Sequence, residues 1–126
     1  MEIQSLDHLV LTVNNIENSV QFYCDILGMK HIKFSDNRHA LKFGKQKINL
    51  HQAGNIFQPA AESPTSGSAD FCFIVSTPLE WIINELKLAG VEIIEGPVER
   101  TGATGKILSV YVRDPDMNLL ELSNII

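Results

Sequence analysis

The sequence is short of the features that mark membrane, secreted and nucleic-acid-binding proteins. None of its apolar runs reaches the roughly 18 residues that a membrane-spanning helix needs. Its first residues, MEIQSLDHLVLTV, lack the basic stretch, apolar stretch and small-residue cleavage site of a secretory signal. The formal net charge of −5 argues against a generic electrostatic grip on nucleic acid. We therefore expect a cytoplasmic protein that binds neither nucleic acid nor a membrane.

Cysteine is also scarce, and no redox, zinc-knuckle or phosphate-loop motif is present. The two cysteines, Cys24 and Cys72, stand alone without a CxxC neighbour, so we expect two reduced thiols. The GxxxxGK[ST] spacing of a phosphate loop is absent as well. With 126 residues, 44% of them hydrophobic and 20% charged, the chain reads as one globular domain spanning residues 1–126.

What the chain does contain is an internal repeat. The β-rich run DHLVLTV (7–13) has a counterpart in ADFCFIV (69–75). Each run is followed by an amphipathic segment with helical spacing, 14–29 in the first half and 76–91 in the second. Gly28 and Gly90 stand at the equivalent helix ends, where glycine is favoured. The sequence therefore predicts a β-strand and an α-helix at the start of each half.

Three further strands complete each half. They are predicted at 30–36, 38–44 and 47–53, and again at 91–96, 106–114 and 118–124. The stretch between the halves, 53–69, is rich in Pro, Gly, Ser and Ala and reads as a linker. We predict an α+β fold made of two βαβββ modules, with repeat units at about 5–53 and 69–126.

Strand alternation divides the side chains of each half between two faces. The first and last strands place their larger apolar set on one face, which would pack under the helices. The opposite face carries His8 and His51 in the first half and Asp70 and Glu121 in the second, at places that we read as equivalent. Imidazole and carboxylate groups together suit Zn, Ni, Co, Fe or Mn, so the pattern predicts a divalent metal site.

Each of these residues also has a simpler explanation. His8 and His51 would serve as ordinary hydrogen-bonded polar residues, and Asp70 as the end of the linker. Glu121 is the sharpest candidate, because a buried carboxylate is costly unless it is paired or bound to metal. Tyr111 and Arg113 share a strand face and are predicted to bind substrate; the alternative is that they are exposed strand residues.

The segments DHLVLTV, NSVQFYCDILGM and SVYVRDPDMNLLELSN resemble the vicinal oxygen chelate superfamily, which contains glyoxalase I, bleomycin-resistance proteins and dioxygenases. The resemblance implies that the modules form a curved, eight-stranded mixed-sheet cup. It also implies that the metal ligands are His8, His51, Asp70 and Glu121, although a histidine is commoner than Asp70 at that position. Met117 replaces the usual glycine of a turn, and a positive φ there would strain it.

The resemblance implies a metal-dependent lyase or isomerase of the lactoylglutathione-lyase type, acting on a small oxygen-chelating substrate. Glu121 would be the general base, and the cofactor would be Zn, Ni, Co, Mn or Fe. The alternatives are a drug- or metabolite-binding protein, a fosfomycin-type thiol transferase, a dioxygenase relative, and a structural subunit with a vestigial site. A homodimer is expected, because pairing would cover the open sheet edges.

Overall fold

The computed structural model describes residues 1–126, which form two compact units, Met1–Gly67 and Ser68–Ile126. The first unit contains β1 (His8–Val13), α1 (Ile16–Val20) continued by a π-helical segment (Gln21–Ile26), β2 (Lys30–Phe34), β3 (Arg38–Phe43) and β4 (Gln46–Gln52). The second contains β5 (Asp70–Ile74), α2 (Leu79–Leu88), β6 (Glu95–Thr101), β7 (Lys106–Arg113) and β8 (Leu119–Ile125). None of the helices has the length and apolar character that crossing a membrane requires.

Each unit is built on one four-stranded mixed sheet. The strand order is β1-β4-β3-β2 in the first unit and β5-β8-β7-β6 in the second. In both, the first and last strands of the unit pair in parallel and the remaining pairs are antiparallel. The predicted α+β class and the twofold βαβββ order are therefore confirmed. That the two units form a single domain stays a prediction.

The sheet faces follow the predicted alternation. In the first unit Leu11, Val13 and Leu50 are almost fully buried on one face. In the second unit Leu120 and Leu122 are buried in the same way. The helices supply further apolar side chains, and α2 contributes Leu79, Ile82 and Leu86. Each sheet therefore has one apolar face and leaves its other face for polar residues.

The helix boundaries also follow from local sequence. The side chain of Asn15 caps α1 by accepting a hydrogen bond from the backbone N–H of Asn18 at 2.9 Å. Gly28 and Gly90 follow the two helical segments with φ values of 77° and 73°, the left-handed conformation that ends helices at glycine. The predicted helix ends are confirmed.

Strand β6 lies further along the chain than predicted. Residues 91–94 are rich in Val and Ile like a strand, but β6 begins at Glu95. It pairs only with β7 and contains a register shift between Glu95 and Val98. Pro97 is tolerated there because an edge strand does not need every N–H. At Gly96, whose φ is 105°, a side chain would collide with the carbonyl oxygen of Ser109, so the bulge requires glycine.

The turn between β7 and β8 holds the chain in a strained conformation. Met117 has a φ of 69°, as anticipated from its position in a turn that usually contains glycine. The turn is closed by a hydrogen bond from the Met117 N–H to the Asp114 carbonyl oxygen at 3.0 Å. It places the last residue of β7 beside the first residue of β8.

Candidate functional site

The second unit brings four of the predicted site residues together. An open cavity of about 520 Å³ is lined by Asp70, Tyr111, Arg113 and Glu121, together with Ile94, Glu95 and Leu119. The strand register explains this convergence. Tyr111 pairs with Glu121 across β7 and β8, and Arg113 and Asp70 each pair with Leu119 from opposite sides. These side chains share the polar face of the second sheet.

A pair of serines fixes the carboxylate of Glu121. The Ser109 hydroxyl donates to Oε2 of Glu121 at 2.5 Å, and the Ser123 hydroxyl lies 3.5 Å from the same oxygen. The two serine oxygens are 2.6 Å apart, and both residues are fully buried. Ser109 and Ser123 were not among the predicted site residues, although they lie on the predicted face. They hold the carboxylate in one orientation toward the cavity.

Tyr111 is held between a cation and an acid. The Arg100 Nε donates to the Tyr111 hydroxyl oxygen at 3.0 Å, and the guanidinium lies 5.5 Å from the ring centroid. Burial, and to a smaller extent the Glu121 carboxylate, raise the pKa of Tyr111 against an opposing effect of Arg100. Tyr111 therefore keeps its proton at neutral pH and is able to donate it in a hydrogen bond.

The two predicted histidine ligands lie apart in the first unit. His8 is exposed and its Nδ1 is 2.8 Å from Oδ2 of Asp7. His51 is only 4% exposed and pairs with Thr12, four residues along β1 from His8. At a rise of about 3.3 Å per residue, that offset is roughly 13 Å along the strand. The two imidazoles share a face, but the sheet does not bring them to one point.

The predicted equivalence of His51 and Glu121 is wrong. Asn49 pairs with Val10 in the first unit, as Glu121 pairs with Cys72 in the second. The residue that matches Glu121 is therefore Asn49, and His51 matches Ser123. The prediction identified the correct face but was displaced by two residues, because alternation identifies a face without fixing the position along it.

Each unit keeps one pair of neighbouring side chains with oxygen or nitrogen donor atoms. Asp70 and Glu121 lie one diagonal step apart on neighbouring strands, where Cα atoms are about 7–8 Å apart. His8 and Asn49 have the same relation in the first unit. No group of three or more His, Cys, Asp or Glu side chains in the chain is arranged to hold a metal ion. Oxygen and imidazole donors in this combination suit Zn, Ni, Co, Mn or Fe.

Acidification is expected to destabilise the fold through two histidines. Burial, and then the nearby His31 and Lys33, lower the pKa of His39. Burial, and then the Arg38 charge, lower the pKa of His51. A histidine whose pKa lies below its unfolded value of about 6.5 binds fewer protons in the folded state. The contribution of these two histidines to stability is therefore fully present above about pH 6.5 and is lost as the pH falls below that value.

Urea unfolding at about pH 7.5 and about pH 5 measures this effect, since most carboxylates remain ionised between them. The wild-type midpoint should be lower at the acidic pH. His39→Gln keeps a neutral hydrogen-bonding side chain and should lower the midpoint by less. An equal decrease in both proteins would show that His39 does not contribute.

Comparison with known proteins identifies a single group of relatives. The family model described as the Glyoxalase/Bleomycin resistance protein/Dioxygenase superfamily matches residues 5–122. The chain is 56% identical over 123 residues to Virulence protein STM3117 of Salmonella typhimurium, covering 98% of this chain and 85% of the relative. The crystal structure of that relative superposes with a TM-score of 0.98 at 55% identity over all of both chains.

Two other relatives carry names that describe a domain or a reaction. Glyoxalase domain-containing protein RDO1 of Mycosarcoma maydis is 48% identical over 124 residues, covering 98% of this chain and 70% of the relative. Metallothiol transferase FosB of Staphylococcus haemolyticus is 31% identical over 120 residues, covering 95% of this chain and 83% of the relative. The similarity therefore extends through both units.

Proposed function

Because the chain belongs to the glyoxalase/bleomycin resistance protein/dioxygenase superfamily, we propose that it is a metal-dependent enzyme acting on a small oxygen-chelating substrate, with lactoylglutathione-lyase-type chemistry. The observation that carries this proposal is the cavity of the second unit. It gathers an acid held by two serines, two further acids, a protonated tyrosine and an arginine around one open space.

The proposed metal donors are Glu121 and Asp70 of the second unit and His8 of the first. His8 occupies the place in its sheet that Asp70 occupies in the other. His51 remains a fourth candidate, although its Nε2 lies 3.4 Å from the guanidinium of Arg38. A bound divalent metal would polarise two neighbouring oxygens of the substrate and stabilise negative charge on them.

The residues of the chain would supply the proton transfer and the orientation. Glu121 would accept a proton from the carbon that bears the hydroxyl and return it to the neighbouring carbonyl carbon, while the hydroxyl proton passes to the neighbouring oxygen, so that the isomerisation balances without any other reactant. Ser109 fixes the direction of that carboxylate. Tyr111 would donate a hydrogen bond to a substrate oxygen, and the exposed guanidinium of Arg113 would attract an anionic group. The homodimer and the cytoplasmic location stay predictions.

Thiol transfer to an epoxide is the second candidate function. The 31% identity to Metallothiol transferase FosB over 95% of this chain favours it. A metal held by the same donors would polarise the epoxide oxygen. Glu121 would accept the thiol proton, or Tyr111 would donate a hydrogen bond to the opening epoxide oxygen, which ends as a hydroxyl. Two assays distinguish the candidates: isomerisation of the hemithioacetal formed from a 2-oxoaldehyde and glutathione, and addition of a thiol to fosfomycin.

Metal-dependent stabilisation tests the proposal directly. The protein is stripped with EDTA, and its Tm is measured alone and with Ni, Zn, Co, Mn or Fe. At a metal concentration of about 100 times Kd, the wild type should gain about 2.7 kcal/mol, or roughly 10 °C in Tm. Glu121→Gln should lose most of that gain, and His8→Ala and His51→Ala measure the two imidazoles separately.

Glu99→Gln is the matched control, because Glu99 lies in the same sheet with its side chain exposed and outside the cavity. It should respond to metal like the wild type. An equal response of Glu121→Gln and the wild type would exclude Glu121 as a ligand. A wild type that gains no stability from any of the metals would favour the metabolite-binding alternative.

A further inference from the structure

The outer face of α2 exposes two large apolar side chains. The helix buries Leu79, Ile82 and Leu86 in the second unit. Trp81 and Leu88 lie on its other side and are 64% and 82% exposed in the whole chain, so neither half covers them. They are seven residues apart, which is about two helical turns, and therefore form one apolar stripe roughly 10 Å long. A second apolar stripe of this kind is typical of a helix that pairs with another helix.

Two opposite charges flank this stripe on the same side. Glu80 lies in the first turn of α2 and Lys87 in the last. They too are seven residues apart, and both lie roughly 100° around the helix from the stripe. Neither residue belongs to any of the ion pairs within the chain. The outer face of α2 therefore has an unpaired acid at one end and an unpaired cation at the other.

This face is complementary to itself when a second α2 runs in the opposite direction. A twofold axis at the middle of the stripe places Trp81 of each copy beside Leu88 of the other. The same axis places Glu80 of each copy beside Lys87 of the other, once at each end of the pair. A parallel pair would instead bring Glu80 of one copy beside Glu85 of the other, which is repulsive. The charges therefore favour the antiparallel order.

Two features limit the strength of such a contact. Glu85 flanks the other side of the stripe near its middle, so the axis brings the Glu85 carboxylates of the two copies close together, and like charges oppose association. The face of a ten-residue helix is also small beside the roughly 800 Å² per partner of a standard interface. We expect weak association, with a Kd on the order of 0.1 mM.

From this self-complementarity we infer that the outer face of α2 binds a second copy of the same chain through the α2 of that copy, in antiparallel order. Trp81 and Leu88 form the apolar contact, and Glu80 and Lys87 form an ion pair at each end. This surface differs from the open sheet edges that the expected homodimer would cover. The docking requires no metal and no residue of the cavity, so it does not depend on the proposed enzymatic function.

Fluorescence of the full chain tests this inference, because Trp81 is its only tryptophan. Emission and acrylamide quenching are measured at protein concentrations from about 10 µM to about 1 mM, which span the expected Kd. In the wild type, emission should move to shorter wavelength and quenching should decrease as the concentration rises. Leu88→Asp should keep the emission of the dilute protein throughout. Ile3→Asp is the matched control, because Ile3 is 84% exposed in the first unit, and it should behave like the wild type.

Charge reversal distinguishes antiparallel docking from unspecific contact of an apolar patch. Glu80→Lys and Lys87→Glu each place like charges at both ends of the pair and should weaken self-association of the variant roughly 10-fold. An equimolar mixture of the two variants restores both ion pairs and should recover the concentration-dependent shift. Glu85→Gln should strengthen association, because it removes the repulsion at the axis.

Wild-type emission that does not change with concentration would overturn the inference and leave the outer face of α2 to solvent or to a different protein. Equal shifts in Leu88→Asp and Ile3→Asp would also overturn it. A mixture of the two charge variants that associates no better than either variant alone would exclude the antiparallel arrangement. None of these results would affect the metal-stabilisation test of the second unit.

Discussion

Glu121→Gln is expected to lower kcat/KM by roughly 10²- to 10⁴-fold, the range found when a general base is removed. Glutamine has nearly the same shape and can still accept a hydrogen bond from Ser109, so the cavity should keep its form. It cannot accept a proton from carbon, and it is a weaker metal donor than a carboxylate. The decrease should appear mainly in kcat if Glu121 acts on the bound substrate.

Ser109→Ala separates the reacting group from the residue that positions it. It removes the 2.5 Å hydrogen bond to Glu121 and leaves the carboxylate in place. The expected loss is about 10- to 100-fold in kcat/KM, the usual effect of losing a partner that orients a ligand. Glu99→Gln should keep wild-type kinetics. If Glu121→Gln retained more than half of the wild-type kcat/KM with the active substrate, Glu121 would not be the base.

Asp114→Ala is expected to reduce the free energy of unfolding by at least about 1–3 kcal/mol, the cost of leaving buried donors without an acceptor. Asp114 is only 4% exposed, and its carboxylate accepts three hydrogen bonds. The donors are the backbone N–H groups of Asp116 and Asn118, both at 2.9 Å, and the Asn118 side-chain amide at 2.8 Å. Alanine would leave these donors buried without an acceptor.

Urea unfolding measures this change, with Asp36→Ala as the control. Asp36 is exposed in the turn between β2 and β3, and its removal should change stability by less than about 0.5 kcal/mol. Asp114→Asn keeps one acceptor oxygen and should lose less stability than alanine. A loss below about 1 kcal/mol for Asp114→Ala would mean that the turn does not depend on this carboxylate.

The fold could be predicted because both halves of the sequence carry the same pattern of strands and helix. Each half repeats the same succession of strand, helix and strands, and alternation assigns each strand its buried face. Those two rules put Asp70 and Glu121 on one face, and the observed register shows that the strand face of Tyr111 and Arg113 continues it, so that these four line a single cavity. Long-range pairing within a sheet preserves the parity of each strand, so the prediction of faces was reliable.

Position along a strand could not be predicted in the same way. His51 and Asn49 have the same parity, and only the observed register shows that Asn49 is the counterpart of Glu121. Strand β6 was misplaced because the Val- and Ile-rich run at 91–94 gives no information about the bulge that follows. The position of the Arg38 guanidinium over the rings of Phe34 and Phe57, 5.1 Å and 4.6 Å from their centroids, could not be predicted either. The directions of such long side chains depend on tertiary packing.

The exchange of an amide for a carboxylate at the matching positions 49 and 121 means that the two halves have ceased to be interchangeable. A protein made of two copies of the first half would present cations on both polar faces and no acid to remove a proton. A protein made of two copies of the second half would have the acids but no histidine on its strands. The architecture is therefore repeated while the chemistry on its two polar faces is not.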